Sequence, residues 1–155
     1  TEVGVVPAPP EVTEAFGVPA DTPLVVRRHL VRTDEDQPVE VGASWFLPAD
    51  VAGTSIMDSR PYGRPLYQEV EDQTGRRYVT AEDRLTARLP SREEAAALRI
   101  RPDTPVLHLV HIGYDADRRP IEVATATWPG PMTTLVETYP VPGPLPDTHP
   151  GIGLD

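Results

Sequence analysis

Apolar runs and polar turns alternate along the chain, and four of the apolar runs are rich in β-branched and aromatic residues, a composition that favours strands. These runs are LVVRRHLVR from Leu24, VEVGASWFL from Val39, VLHLVHIGY from Val106 and IEVATATW from Ile121. The short polar turns TDEDQP and DADRRP join the first run to the second and the third to the fourth. Because such short turns connect only antiparallel neighbours, the pattern predicts two β-hairpins.

Three other segments have the pattern of short helices. SREEAAALR carries Ser91 and Glu94 at the spacing of a capping box, and PPEVTEAFG begins with two prolines. PLYQEVEDQTG has Pro65 near its start and Gly75 at its end, which are typical helix boundaries.

Two further strands are expected, a long one from about Tyr78 to Leu89 and a closing one from about Thr134 to Tyr139. Six or seven strands and two or three helices then make an α+β domain, in which helices flank an antiparallel β-sheet.

The chain contains an internal repeat. Residues 3–48 match residues 85–130 without a gap, at an offset of 82, and both copies contain the phrase DTP-[LV] and, further on, P-[VI]-E-V. Each copy predicts a strand, a helix and a hairpin, and we expect Asp21 and Asp103 in equivalent turns. A chance similarity between two hairpins is the alternative, and the absence of gaps favours the repeat.

Composition places the chain among globular proteins. Its 155 residues suit one domain, and the balance of 39% apolar to 25% charged residues is not that of a disordered chain. The net charge of −10 repels nucleic acid. There is no apolar run long enough for a membrane span or a secretory signal, and there is no cysteine. We therefore expect a cytoplasmic protein with no membrane partner.

The last residues differ from the rest. Most of the 20 prolines bound apolar runs, but PVPGPLPDTHPGIGLD lacks any periodicity. We expect a folded domain over residues 1–140 and a disordered tail rich in proline and glycine over residues 141–155.

Candidate chemistry for an enzyme is sparse. His108 and His111 are three residues apart in a predicted strand and so point to opposite faces. Motifs for nucleophilic catalysis, phosphate binding or zinc are absent from the sequence. The cluster of Glu82, Asp83 and Arg84 has the composition of a solvated strand face. The sequence therefore predicts no catalytic residue, no metal and no cofactor.

Charged and aromatic side chains on the predicted strands and the middle helix suit the binding of a small polar molecule. A guanidinium group, a carboxylate and aromatic rings are the parts of such a site. The candidate ligand-binding residues are Arg32, Trp45, Tyr67, Glu122 and Trp128. The alternative is that the tryptophans belong to the core and the charges face water, and the spacing alone leaves both readings open.

Several of these stretches resemble a known family. The doubled DTP-[LV]…P-[VI]-E pattern, AEDRLTARLPSREEAAAL and YDADRRPIEVATA look like the UTRA domain, the effector-binding domain of the HutC branch of GntR-type transcription regulators. The resemblance covers about residues 3–139. It implies a chorismate-lyase-like fold, a homodimer, and operator DNA bound by an N-terminal winged helix-turn-helix that this chain lacks.

The resemblance carries over to the site only in part. The family's Arg-x-Arg pair falls on Leu30 and Arg32, and the serine of its S-x-Y falls on Pro65, while Tyr67 and Glu122 match. Because donors for a phosphate dianion are lost, a phosphosugar effector is not expected. The tryptophans favour a flatter or more apolar ligand instead.

The function that the resemblance implies is small-molecule sensing and dimerisation in a DNA-binding regulator, with no catalysis. Two alternatives stay open. One is a lyase-type enzyme on the same fold, because a fold does not fix a function. The other is a purely structural dimerisation domain.

Overall fold

The two predicted hairpins form the centre of one six-stranded antiparallel sheet, in the order β1-β2-β3-β6-β5-β4. This is a computed structural model, and it describes residues 2–60 and 63–139. The strands are β1 Glu2–Pro7, β2 Pro23–Arg32, β3 Pro38–Phe46, β4 Thr80–Arg88, β5 Val106–Tyr114 and β6 Pro120–Pro129. The helices are α1 Pro10–Phe16, α2 Pro48–Val51, α3 Tyr67–Thr74 and α4 Arg92–Leu98, with 3₁₀ turns at Ser55–Met57 and Gly130–Met132.

The internal repeat is confirmed by the elements. Helix α4 starts and ends 82 residues after α1, and the register of both hairpins shifts at the equivalent place, beside Val31 and beside Gly113. Asp21 and Asp103 lie in turns closed by equivalent bonds, from Thr22 N–H to Pro19 O and from Thr104 N–H to Arg101 O. The predicted capping box of Ser91 and Glu94 is also present.

One face of the sheet, here called the helix face, is covered by α1 and α4. Helix α1 contacts β5 and β6 of the second repeat, and α4 contacts β3 of the first, so the two repeats cover each other. The side chains of Val12, Phe16, Leu24, Trp45 and Ile112 belong to the core on this face. Burying these large apolar groups is the main force that holds the helices on the sheet.

The opposite face, here called the loop face, is covered by the segment that links the repeats. Helix α2, the turn Ser55–Met57 and helix α3 lie over one end of this face and bury a second apolar core. Its fully buried members are Val25, Phe46, Val51, Ile56, Val70 and Ile121. Within residues 2–60 and 63–139 such a cover follows the first repeat only, so it breaks the symmetry of the two repeats.

The α+β architecture with flanking helices is confirmed, but the closing strand predicted at Thr134–Tyr139 is wrong. Residues 133–139 have no regular secondary structure, and Leu135, Val136 and Tyr139 are 63%, 80% and 68% exposed. The strands β1 and β4 are the two edges of the sheet, and residues 133–139 pair with neither of them. The predicted tail, residues 141–155, lies outside the described residues.

The covering helices are short. Within residues 2–60 and 63–139, no helix is long and apolar enough to cross a membrane.

Candidate functional site

A pocket of about 410 Å³ lies on the loop face, between strands β2 and β6 and the segment that leads into α3. We call it the loop-face pocket. It is lined by Arg27, His29, Arg64, Pro65, Leu66, Tyr67 and Glu122. The sheet supplies one wall and the linking segment the other, so the position of the linking segment sets the width of the pocket.

Glu122 supplies a buried carboxyl group to this pocket. Only 9% of the residue is exposed, and burial raises the pKa of the Glu122 carboxyl above its ordinary value. A hydrogen bond from Ser44 and the nearby His111 act in the opposite direction but do not outweigh burial. The buried carboxyl group accepts hydrogen bonds when it is ionised, and it also donates one when it is protonated.

Arg27 fastens the linking segment to the sheet. Its side chain is buried on β2 and donates hydrogen bonds to the carbonyl oxygens of Ile56, at 2.7 Å, of Asp58, and of Arg60, at 3.0 Å. A planar guanidinium group suits this role because its donors fan out towards several acceptors at once. Arg27 therefore lines the pocket, and its hydrogen bonds also clamp residues 56–60 to the sheet.

His29 lies two residues further along β2, on the same face. Its Nε2 is 2.8 Å from Oε1 of Glu40, and Oε2 of Glu40 accepts a 2.7 Å bond from Nε1 of Trp128. The bond with His29, followed by that with Trp128, holds the pKa of Glu40 below its usual range against the effect of burial. A Cβ atom at Gly42 would lie 2.3 Å from Nε2 of His29, so this glycine makes room for the ring.

The opposite wall is polar and aromatic. Arg64 pairs with Glu69 and with Asp72, the latter at 2.9 Å, and so is held against α3. The ring of Tyr67 packs against that of Tyr78, with 4.7 Å between centroids. The hydroxyl group of Tyr78 is in turn 2.6 Å from Nε2 of His111. These contacts tie the start of α3 to strand β5 and fix the rim of the pocket.

Of the five residues proposed from the sequence, the structure brings Tyr67 and Glu122 together in this pocket. It does not bring the other three there. Arg32 lies exposed at the end of β2 and pairs with Asp36 in the hairpin turn. Trp45 is in the core of the helix face, and Trp128 lies further along β6 from Glu122, against Glu40. Side chains alternate along strands, and this alternation places Trp45 and Trp128 on opposite faces.

Arg27, His29 and Arg64 line the pocket but are not among the residues predicted from the sequence. The resemblance placed the basic pair of this strand at positions 30 and 32, whereas the basic side chains that line the pocket are three residues earlier, at Arg27 and His29. Their spacing of two puts both on one face of a strand, and that signal was present in the sequence. Arg64 lies in a connecting segment, where no periodicity points to it.

Comparisons with known proteins agree with this fold. The family model of the UTRA domain matches residues 1–133. An uncharacterized HTH-type transcriptional regulator of Streptomyces coelicolor is 29% identical over 133 residues, which are 84% of this chain and 49% of that protein. The chain therefore spans about half the length of the curated relative that it matches.

Solved structures give the same answer. The effector domain of PhnF from Mycobacterium smegmatis has a TM-score of 0.71 and 21% identity, over 91% of this chain and 85% of that one. The ligand-binding domain of a protein assigned to the GntR family, from Bordetella bronchiseptica, has a TM-score of 0.64 and 25% identity, over 94% and 88%. The chain belongs to the UTRA domain family, and its fold is that of the effector-binding domains of GntR-type transcriptional regulators.

Proposed function

We propose that this domain senses a small polar effector in the loop-face pocket and does no chemistry on it. The observation that carries the proposal is the position of the Glu122 carboxyl group, which is buried on the sheet in a pocket that is also lined by Arg27, His29 and Arg64. Buried carboxyl and guanidinium groups at one concave site are costly for stability and are the usual anchors of a polar ligand.

The chemistry of the walls indicates the class of effector. Glu122 matches a hydroxyl or ammonium group, and the basic side chains of the pocket match a hydrogen-bond acceptor. Each basic side chain already has a partner: Arg27 in the loop carbonyls, His29 in Glu40 and Arg64 in Glu69. A phosphate dianion has to compete with these bonds, which supports the expectation that sugar phosphates bind weakly. The tryptophans lie outside the pocket and give no support to an aromatic effector.

The coupling mechanism that we propose is a shift between two conformations of the linking segment. An effector that contacts both Glu122 on the sheet and Tyr67 at the start of α3 binds more tightly when the two are close together. It shifts the equilibrium by its difference in affinity for the two conformations, and by no more than that. The clamp of Arg27 on residues 56–60 transmits this change to the cover of the loop face.

The partners that we propose follow from the relatives. The domain acts as a homodimer in the cytoplasm, and a helix-turn-helix domain outside these 155 residues contacts operator DNA. The curated HTH-type relative, of which this chain spans 49%, supports such a domain. The net charge of −10 also supports DNA contact through another part of the protein.

A metabolite screen by native mass spectrometry tests the proposal. Sugar acids, amino acids, organic acids and sugar phosphates are each mixed with the domain and with its Glu122→Gln variant. We expect at least one small polar compound to bind the native domain and to be lost from the variant. Glu35→Gln is the control, because it makes the same chemical change at an exposed residue of the β2–β3 turn, outside the pocket. The proposal is contradicted if every compound that binds the native domain binds Glu122→Gln equally well, or if no compound binds the native domain.

A further inference from the structure

His108 lies on β5, on the helix face of the sheet, and both nitrogens of its ring have partners. The residue is 6% exposed. Its Nδ1 is 2.8 Å from Oγ1 of Thr127 on β6, and its Nε2 is 3.2 Å from each carboxylate oxygen of Glu11 on α1. The ring therefore connects helix α1 to two strands of the second repeat. None of these residues lines the loop-face pocket, which lies on the opposite face.

The direction of the hydrogen bond between His108 and Thr127 follows from the carboxylate beyond them. Arg88 donates two bonds of 2.7 Å to Glu94, and these bonds lower the pKa of Glu94 to about 2, so this carboxylate is ionised and only accepts. Thr127 has one hydroxyl hydrogen and donates it to Glu94 at 2.8 Å. Towards His108, the Thr127 oxygen is then an acceptor. Nδ1 of His108 therefore carries a hydrogen.

The second ring nitrogen of His108 faces the carboxylate of Glu11. The bond with His108 lowers the pKa of Glu11 against the effect of burial, and an ionised carboxylate accepts hydrogen bonds but donates none. A neutral ring with its hydrogen on Nδ1 turns a lone pair of Nε2 towards these oxygens, which is repulsive. A charged ring donates a second bond to them instead. The bond between α1 and β5 therefore requires the imidazolium form of His108.

Charged side chains of β2, β4, α1 and α4 line a cavity of about 830 Å³ beside His108. They are Arg28, Arg88, Glu11, Glu14, Glu93 and Glu94. Arg88 and Glu94 neutralise each other through their paired bonds. Glu14 and Glu93 are exposed, and water and salt screen their charges. Glu11 bonds the ring directly, so it is the main counter-charge of His108.

We propose that His108 is a proton-dependent latch between helix α1 and the sheet. The charged ring donates from Nδ1 to Thr127 and from Nε2 to Glu11, and so ties α1 to the chain of bonds that holds α4. Loss of the proton from Nε2 breaks the bond with Glu11 and leaves the bond with Thr127 in place. Histidine changes charge between about pH 5 and 8, so the latch opens near neutral pH.

Opening of the latch loosens α1 without detaching it. Val12 and Phe16 of this helix remain buried in the core of the helix face, and their burial does not depend on pH. Because α1 of the first repeat contacts β5 and β6 of the second, the latch acts on the contact between the repeats.

Nitrogen NMR of the His108 ring tests the direction of the bonds, because ring nitrogens with and without a hydrogen have well separated chemical shifts. We expect hydrogens on both nitrogens at pH 5.5. At pH 8.5 we expect the hydrogen on Nδ1 to remain and the one on Nε2 to be lost, since the bond to Thr127 selects this tautomer. The experiment needs no effector, so its outcome does not depend on the proposed function.

Hydrogen exchange of the α1 amides measures the consequence for the helix. The amide hydrogens of Thr13 and Gly17 are bonded within α1, and their protection should fall about threefold from pH 5.5 to 8.5, corrected for the intrinsic pH dependence of exchange. A threefold fall is the size of a partly exposed ion pair. The amide of Ala95 in α4 should keep its protection, because Arg88 holds that helix at both pH values.

Glu11→Gln should abolish the pH dependence of α1, because an amide group accepts a bond from a charged ring and donates one to a neutral ring. Glu14→Gln is the matched control, since it makes the same change at an exposed residue of the same helix. This control should keep the threefold fall.

Three results overturn the proposal. One is a neutral His108 ring with its hydrogen on Nε2, which reverses the direction of the bonds. Another is protection of α1 that stays constant from pH 5.5 to 8.5, or that falls equally in Glu11→Gln. The third is an equal fall at Ala95, which assigns the pH dependence to the whole domain and not to the latch.

Discussion

Gly17 and Arg99 end the first helix of each repeat in the same left-handed conformation, with φ of 67° and 55°. Both backbone N–H groups bond back into the helix, Gly17 to Glu14 O and Arg99 to Ala96 O. The backbone geometry of the repeat is therefore shared at a position where the side chains differ. Glycine adopts this conformation freely, whereas arginine is strained in it.

The first prediction concerns this helix end. Arg99→Gly should raise the free energy of unfolding by about 1 kcal/mol, because the strain of a non-glycine residue in this conformation exceeds the extra entropy that glycine loses on folding. The variant also loses an ion pair with Asp36, but both side chains are largely exposed and such pairs contribute little. Gly17→Ala should lower the free energy of unfolding by a similar amount. Denaturant titration measures both, and a destabilised Arg99→Gly protein contradicts the argument.

A second prediction concerns the ion cluster that holds the end of α3 against the second hairpin. Arg76 donates to Asp50 at 2.8 Å and to Asp115 at 2.9 Å, and Asp115 is 4% exposed. Burial alone raises the pKa of Asp115, but hydrogen bonds from the Arg119 backbone and from Arg76 outweigh it and lower the pKa.

Arg76→Met should therefore cost about 3 kcal/mol of stability, since it leaves a buried carboxylate with less compensation. Arg101→Met is the matched control, because Arg101 pairs with Asp103 at the surface. The Arg101→Met variant should have the same midpoint of unfolding as the native protein. Equal midpoints for the two variants contradict the account of this cluster.

Acid should weaken the domain through Glu94. Its pKa is about 2 in the folded protein against 4.5 ordinarily, because Arg88 binds the charged form. A lowered folded-state pKa stabilises the protein above pH 4.5, and this stability is lost as the pH falls from 4.5 to about 2. We expect the difference in unfolding free energy between the native protein and Glu94→Gln to shrink over that range. A constant difference contradicts this reading.

The pH dependence of stability that Glu122 causes should have the opposite sign to that of Glu94. Its pKa is raised by burial, so its contribution to stability is complete at low pH and falls as the pH rises above the ordinary 4.5. Glu122→Gln should therefore raise the unfolding free energy at pH 7 while it weakens effector binding. A residue that serves binding is expected to lower the stability of the folded protein. A less stable variant at pH 7 contradicts this prediction.

Local rules were enough to predict much of this fold from the sequence. The capping box of Ser91 and Glu94, the two short turns and the repeat all depend on residues close in the chain or on a fixed offset. Which residues of the candidate site lie together depends on which strands pair in the middle of the sheet. Trp45 pairs with Val123 in that central β3–β6 ladder, and the ladder sets which residues share a face. No turn connects β3 to β6, so the sequence does not specify their register.

The loop-face pocket could not be predicted from the sequence for a second reason. Its outer wall is an irregular segment whose position depends on long-range bonds, such as those from Arg27 to the carbonyls of Ile56 and Arg60. Tyr67 and Glu122 were identified because the family resemblance named their positions. Arg27 was not identified, although its spacing from His29 places both on one face of β2, because the strand pattern does not show that this arginine is buried.

Calorimetric titration of the effector found by the metabolite screen tests the central claim most directly. We predict that Glu122→Ala weakens binding by about 1 to 3 kcal/mol, the range for a hydrogen bond to a charged group. We predict that Arg32→Ala leaves the affinity unchanged, because Arg32 pairs with Asp36 outside the pocket. Unchanged affinity in Glu122→Ala, or a loss confined to Arg32→Ala, would contradict the assignment of the effector to the loop-face pocket.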